Sequence, residues 1–183
     1  MPPKQRITRE MILETSFAMF CKDGMEIVNA RSVAKALNCS TQPIFSYFAG
    51  MDDLKTALEN KARDLFDTTV AAEIAGEEPL LSGCMAYFRF AMKQPNLFRQ
   101  LFLLKVEKQP ECLKTINDTL RENVVMPLAQ KRGMNPDDLE QQCVKLWMYT
   151  HGMAALAAMG MMHLSEESVY AMVSEAKNVL MPE

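Results

Sequence analysis

Long apolar runs are missing from this sequence. No stretch reaches the roughly 18 consecutive apolar residues of a membrane span, and the opening M-P-P-K-Q-R-I-T-R has no apolar core of the kind a secretory leader carries. A soluble, cytoplasmic protein without a membrane partner is expected. Cysteine is sparse: Cys21, Cys39, Cys84, Cys112 and Cys143 are scattered, odd in number and free of any C-x-x-C pair, which argues against a disulfide framework or a zinc ribbon. The seven glycines are too dispersed for a G-x-G-x-x-G turn or a phosphate-cradling loop. There are only two histidines. His151 falls on one helical stripe with Cys143 and Trp147, but no further ligand or activating base stands at a usable spacing. Neither a metal, a cofactor nor an enzyme activity is therefore expected.

What remains is rich in helix formers. Ala (19), Leu (19) and Met (16) outnumber the 16 residues of Val plus Ile by more than three to one, and these propensities point to an all-α protein. At 183 residues, 49% apolar, the chain is long enough to bury a sizeable core. The net charge of −3 is unevenly placed. Residues 1–50 carry six Lys/Arg against four Asp/Glu, leaving the excess of acid to residues 51–183. Only the N-terminal end suits a polyanion.

Capping signals and periodicity divide the chain into about nine helices. The first starts at Thr8, buries Ile12, Leu13, Phe17 and Phe20, and ends at Gly24 with a left-handed cap. The second follows Asn29, turns Val33, Ala34 and Leu37 inward and Arg31 and Lys35 outward, and stops at Asn38. A third runs from Ser40 or Thr41 through Tyr47, with Pro43 tolerated in its first turn. Further helices are expected from Asp52 to about Gly76, Leu80 to Lys93, Asn96 to Leu104, Glu111 to Arg132 with a kink at Pro127, Asp137 to Met162, and Glu166 to Leu180.

Residues 30–49 meet the demands of a helix-turn-helix: a small residue where two helices touch, a residue tolerant of positive φ in the turn, and apolar plugs behind the second helix. Ala34 is the small contact, Asn38 the turn residue, and Val33, Leu37, Ile44 and Phe48 the plug. The outer face of the third helix then carries Thr41, Gln42, Pro43, Ser46 and Tyr47. These are short, polar or flat side chains able to approach base edges; Gln42 can pair with adenine, and Thr41 or Pro43 can pack on a thymine methyl group. A two-turn helix with almost no charge on its open face differs from an ordinary solvated helix.

The stretch from Ile7 to Leu58, with F-C-K-D-G at 20–24, A-R-S-V-A-K-A-L-N-C-S at 30–40, T-Q-P-I-F-S-Y-F at 41–48 and M-D-D-L at 51–54, resembles the DNA-binding domain of the TetR/AcrR transcriptional regulators. W-M-Y-T-H-G at 147–152 is similar to a pattern in one subgroup of that family's C-terminal domains. The resemblance implies a helix-turn-helix DNA-binding domain over residues 1–50 and a helical effector-binding and dimerisation domain over 51–183. It makes Thr41, Gln42, Pro43 and Tyr47 groove-facing, Arg31, Lys35 and Lys55 phosphate contacts, and Lys4, Arg6 and Arg9 a mobile basic arm. The turn glycine frequent in the family is Asn38 here, and a lysine frequent near the start of the fourth helix is Met51.

The expected function is that of a homodimeric repressor on a palindromic double-stranded DNA operator, released by a small apolar or amphipathic effector; repression follows from the resemblance alone. Phe88, Met92, Phe102, Trp147 and His151 are the candidate effector-lining residues. The apolar run Gly152–Met162 with the last helix supplies the candidate dimer interface: Ala155, Met159, Met162, Val169, Met172, Val173 and Ala176. The competing reading is an interaction adaptor that keeps the helix-turn-helix without binding specific DNA.

Overall fold

A computed structural model describes residues 7–74, 78–104 and 120–181. The chain divides into two compact units, Met1–Leu65 and Phe66–Glu183. Helix and turn account for the backbone, and no strand occurs among the described residues.

The first unit opens with α1 (Arg9–Asp23), capped by Thr8, whose hydroxyl accepts the Met11 N–H at 3.2 Å. Ile12 and Phe20 are fully buried, while Leu13 and Phe17 are half-buried. Gly24 closes the helix at φ 93°, ψ 169°. That is positive φ but not the left-handed helical cap expected, because the chain here extends into a single 3-10 turn, Met25–Ile27. Next comes α2 (Ala30–Ala36), held at its start by a reciprocal pair: Asn29 Oδ1 accepts the Ser32 N–H at 3.1 Å, and Ser32 Oγ accepts the Asn29 N–H at 3.1 Å. At its end Asn38 takes φ 52°, and the Cys39 N–H reaches back to the Ala34 carbonyl at 3.0 Å. The expected turn residue therefore does adopt the left-handed conformation. α3 (Gln42–Tyr47) follows after Thr41, with Pro43 in its first turn. α4 (Met51–Glu73) begins with Asp52 and Asp53 at its positive end, and Asp53 accepts the Ala49 N–H at 3.0 Å. Leu54, Leu58 and Ala62 are buried along one face.

In the second unit, α5 (Pro79–Lys93) is buried on most sides, with Cys84, Met85, Tyr87, Phe88 and Phe90 all inside. Arg89 is its outward anchor. The guanidinium bridges Glu73 at 2.6 Å and Glu166 at 2.7 Å, tying α5 to the end of α4 and to the last helix. α6 (Pro95–Phe98) runs on into a wide π turn, Arg99–Leu103. A second π turn, Arg121–Val125, leads into α7 (Met126–Arg132), which ends on Gly133 at φ 64°. The expected kink at Pro127 is instead this change of helical pitch just before it; the expected helix start at Glu111 lies outside the described residues. α8 (Pro136–Ala158) is capped by Asn135. It stops four residues before the expected Met162, because Gly160 takes φ 69° and the Met161 N–H bonds the Leu156 carbonyl at 2.9 Å. α9 (Glu166–Leu180) is capped by Ser165, whose hydroxyl accepts the Ser168 N–H at 3.1 Å.

Candidate nucleic-acid interface and ligand cavity

Short helices are marginal alone, so α3 must be held by what lies behind it. Ile44 and Phe48 are its anchors, both excluded from solvent together with Val33 and Ala34 of α2; Leu37 is half-buried. Phe48 is further gripped by the Arg9 guanidinium, 4.9 Å from the ring centre. The Tyr47 hydroxyl donates to the Ile7 carbonyl at 3.3 Å, tying the start of the chain to the same helix. Arg9 is thus the first residue of α1 and stacked on Phe48, not part of a mobile arm. Lys4 and Arg6 lie outside the described residues.

With the inner face occupied, the remaining side chains of α3 point outward. Gln42, Ser46 and Tyr47 are exposed, whereas Thr41 and Pro43 are half-buried. Ser46 Oγ donates to the Gln42 carbonyl at 2.9 Å, so its hydroxyl is partly engaged by its own helix. Arg31 and Lys35 are exposed on α2, and Lys55 is half-buried on α4. An open groove of about 790 Å³ runs between Ile7, Met11, Asn38, Ser40, Gln42 and Tyr47. The sequence reading passed over Phe45. Its ring is 52% exposed in the middle of α3, an unusual place for a large apolar side chain, and its position three residues after Gln42 was the available signal.

The second unit is centred on a cluster of rings. Tyr87 meets Phe66, Phe98, Phe102, Trp147 and His151 with centroids 5.3–6.0 Å apart. The Tyr87 hydroxyl lies 2.8 Å from His151 Nδ1. Beside the cluster is a cavity of about 70 Å³ whose walls include Phe66, Val70 and Ile74 of α4, Leu80 and Cys84 of α5, Leu120 and Val124 at the second π turn, and Trp147 of α8. Of the five residues expected to line an effector site, Trp147 is on the cavity wall. Phe102 and His151 pack in the ring cluster next to it. Phe88 is fully buried away from the cavity lining, and Met92 is 44% exposed outside it. Met92 and Phe88 are thus displaced from the expected set, because α5 turns Cys84 and Tyr87 toward the cavity instead.

Burial lowers the His151 pKa below its ordinary 6.5, since charge is costly away from water. The neutral ring can accept the Tyr87 O–H at Nδ1; the imidazolium cannot. The folded chain therefore binds this proton less tightly than the unfolded one, and stability rises with pH between the lowered folded value and 6.5 and is lost as pH falls through that window. Unfolding midpoints measured from about pH 7.5 to about pH 5 should fall less steeply in His151→Gln than in the parent. Parallel curves would assign the titration to another group.

Cys143 sits one stripe away from His151 but is fully buried, and burial pushes its thiol up to about 11. A thiol held protonated by burial is a poor nucleophile. Among the described residues no three His, Cys, Asp or Glu side chains converge in a manner that could hold a metal ion. No described helix is long and apolar enough to cross a membrane.

The expected interface residues separate into two groups. Val169 and Val173 are fully buried within the chain's own core, so they belong to α9's inward face and not to an outer contact surface. Met159, Met162 and Met172 are exposed, and Ala155 and Ala176 half-buried. Met148, Tyr149, Met161, Tyr170 and Val179 are further exposed apolar side chains of α8, α9 and the link between them.

Comparison with known proteins matches these features. The family model described as the tetracyclin repressor-like C-terminal domain fits residues 80–177, more than half of the chain. A protein of Bacillus subtilis (strain 168), described as the uncharacterized HTH-type transcriptional regulator YobS, is 22% identical over 116 residues; the match spans 62% of this chain and 61% of that protein's length. Among solved structures, a TetR-family transcriptional regulator from Rhodococcus sp. superposes with a TM-score of 0.67 at 16% identity, covering 94% of this chain and 98% of the other. The fatty acid degradation regulator FadR from Bacillus halodurans gives 0.63 at 16%, covering 97% of each chain. AibR, crystallised in complex with isovaleryl coenzyme A and operator DNA, gives 0.62 at 19%, covering 91% of this chain and 96% of its own. At such identities the structural likeness speaks for the fold, while the family model carries the assignment: this chain belongs to the TetR family of transcriptional regulators, which act by binding DNA and not by catalysis.

Proposed function

We propose that the protein is a cytoplasmic, homodimeric repressor that reads a palindromic operator through α3 and leaves it when a small effector enters the cavity of the second unit. The observation that carries this reading is the outward face of α3. Its inner side is sealed by Ile44 and Phe48, while Gln42, Ser46 and Tyr47 are exposed at the edge of an open groove and Lys35 and Arg31 are exposed on α2. An α-helix fits the major groove of B-form DNA, and a glutamine amide can pair with both adenine N6 and N7. Arg31, Lys35 and Lys55 supply phosphate contacts around it, Thr41 and Pro43 flank the reading edge, and Phe45 is an additional apolar contact.

Few fixed charges per subunit favour two copies acting together. Met172, Ala176 and Val179 form an i, i+4, i+7 stripe on α9, and Met148, Gly152, Ala155 and Met159 one on α8. A Cβ built on Gly152 meets nothing within 4 Å, so its side of α8 is open to close approach by another helix. Both stripes match the apolar core of a two-fold interface. A cavity walled largely by apolar side chains suits an effector, and AibR, a relative in fold, was crystallised with a small-molecule thioester and operator DNA together. An effector acts by preferring one of two states, so it must bind the DNA-free form more tightly.

Binding of genomic fragments, measured by fluorescence anisotropy at several salt concentrations, tests the reading. Gln42→Ala should weaken the selected operator by about 1–3 kcal/mol and leave random duplex nearly unchanged. Lys35→Ala should weaken both and reduce the salt slope by about one. Equal losses on all sequences for Gln42→Ala would remove its base-reading role, and retention of no fragment at all would favour the adaptor.

A further inference from the structure

The cavity beside Trp147 has a chemical preference of its own. Its wall is apolar apart from a few groups, and among the described lining residues Asp67 is the sole charged side chain. One donor is left over: Trp147 Nε1 is buried and has no hydrogen-bond partner among the described residues. A buried N–H without an acceptor is costly, and a bound molecule carrying an oxygen acceptor removes that cost. The same N–H repels a cation. The Asp67 carboxylate on the wall disfavours an anion, and desolvating either kind of ion in such surroundings is unfavourable. A volume of about 70 Å³ is room for about two water molecules, which suits a molecule of a few heavy atoms rather than a ring or a long acyl tail.

We infer that the cavity takes a small, neutral, mostly apolar molecule with one carbonyl-type oxygen, and that the Trp147 indole N–H donates to that oxygen. This deepens the reading of the second unit as the effector-binding part and rests on it. Val124, also on the wall, belongs to the π turn Arg121–Val125 that Leu120 precedes, a distortion that concentrates at functional sites.

Trp147 is the chain's single tryptophan, so its emission reports occupancy without any DNA present. The probes are a set matched in size, each of four heavy atoms: acetone, isobutane, isopropylammonium and acetate. Acetone should change Trp147 emission saturably and bind about 3–10-fold more tightly than isobutane, the range of one neutral hydrogen bond. Both ions should bind at least about tenfold more weakly than the ketone. Trp147→Phe, followed by calorimetry, should keep its unfolding midpoint within a few degrees and bind ketone and hydrocarbon equally. Asp67→Asn should admit the carboxylate about 3-fold better and leave the ketone unchanged. Preference for the ammonium probe, equal binding of ketone and hydrocarbon in the parent, or no binding by any probe would overturn the inference. Saturable ketone binding that leaves operator binding untouched would instead sustain the ligand class and remove the effector role.

Discussion

Placing glutamates at Met172 and Val179 together is expected to leave a folded monomer whose operator binding is weaker by about a thousandfold or more. Val179 is 76% exposed and Met172 37%, so replacing them leaves the fully buried stripe of Val169 and Val173 intact. Brought against a symmetry mate, the pair would set four carboxylates in one apolar seam, where each must shed water without a partner. A monomer keeps roughly half the contacts to a palindrome. For a regulator whose dimer binds in the usual nanomolar range, half the free energy leaves a Kd of about 30 μM. Light scattering for mass and anisotropy for binding separate the two effects. Val173→Glu provides the contrast: that side chain is fully buried within the chain, so the expected outcome is unfolding, not dissociation. A double variant that remains dimeric would place the subunit contact elsewhere.

The second large effect belongs to Phe48. Phe48→Ala should cost about 3–5 kcal/mol of stability in the first unit, as expected for deleting a fully buried aromatic ring. It also removes the surface under the Arg9 guanidinium. The consequence for function is indirect but severe. Six residues of α3 have too few internal hydrogen bonds to hold a helix without support, so loss of the ring should abolish operator binding even though Phe48 touches no DNA. Emission from Trp147 reports the other unit and should still respond to a cavity ligand. A variant that loses both responses would make the two units one cooperative block.

Much of this architecture was legible because helix ends carry local chemistry. Thr8, Asn29 and the residues before Glu166 announce N-termini through side-chain acceptors, and Asn38 announces the turn through its tolerance of positive φ. The plug of Val33, Leu37, Ile44 and Phe48 followed from spacing, although Leu37 is only half-buried. The misreadings occurred where spacing is ambiguous. α9 has two apolar stripes, Val169 with Val173 and Met172 with Val179, and periodicity cannot tell which one the chain keeps for itself. The end of α8 was placed too late because Ala and Met continue past Ala158 and hide the break at Gly160. Neither π turn was foreseeable, since an extra residue in a helical turn reflects packing of its neighbours rather than any residue type. Met92 was misplaced for a related reason: α5 is apolar on nearly every side, so its sequence does not say which side borders empty space.

The two-sided character of α9 has a bearing on how copies meet. Its inner stripe and the Arg89 bridge to Glu166 fasten the helix to its own subunit, so the outer stripe is presented by an already folded body. In the proposed dimer, encounter between subunits would then be a docking of finished surfaces, and dilution would part them without melting either. Thermal midpoints would accordingly rise with concentration where the pair is populated and level off on dilution at the single subunit's own value, and differently tagged preparations, once mixed, would trade partners on standing.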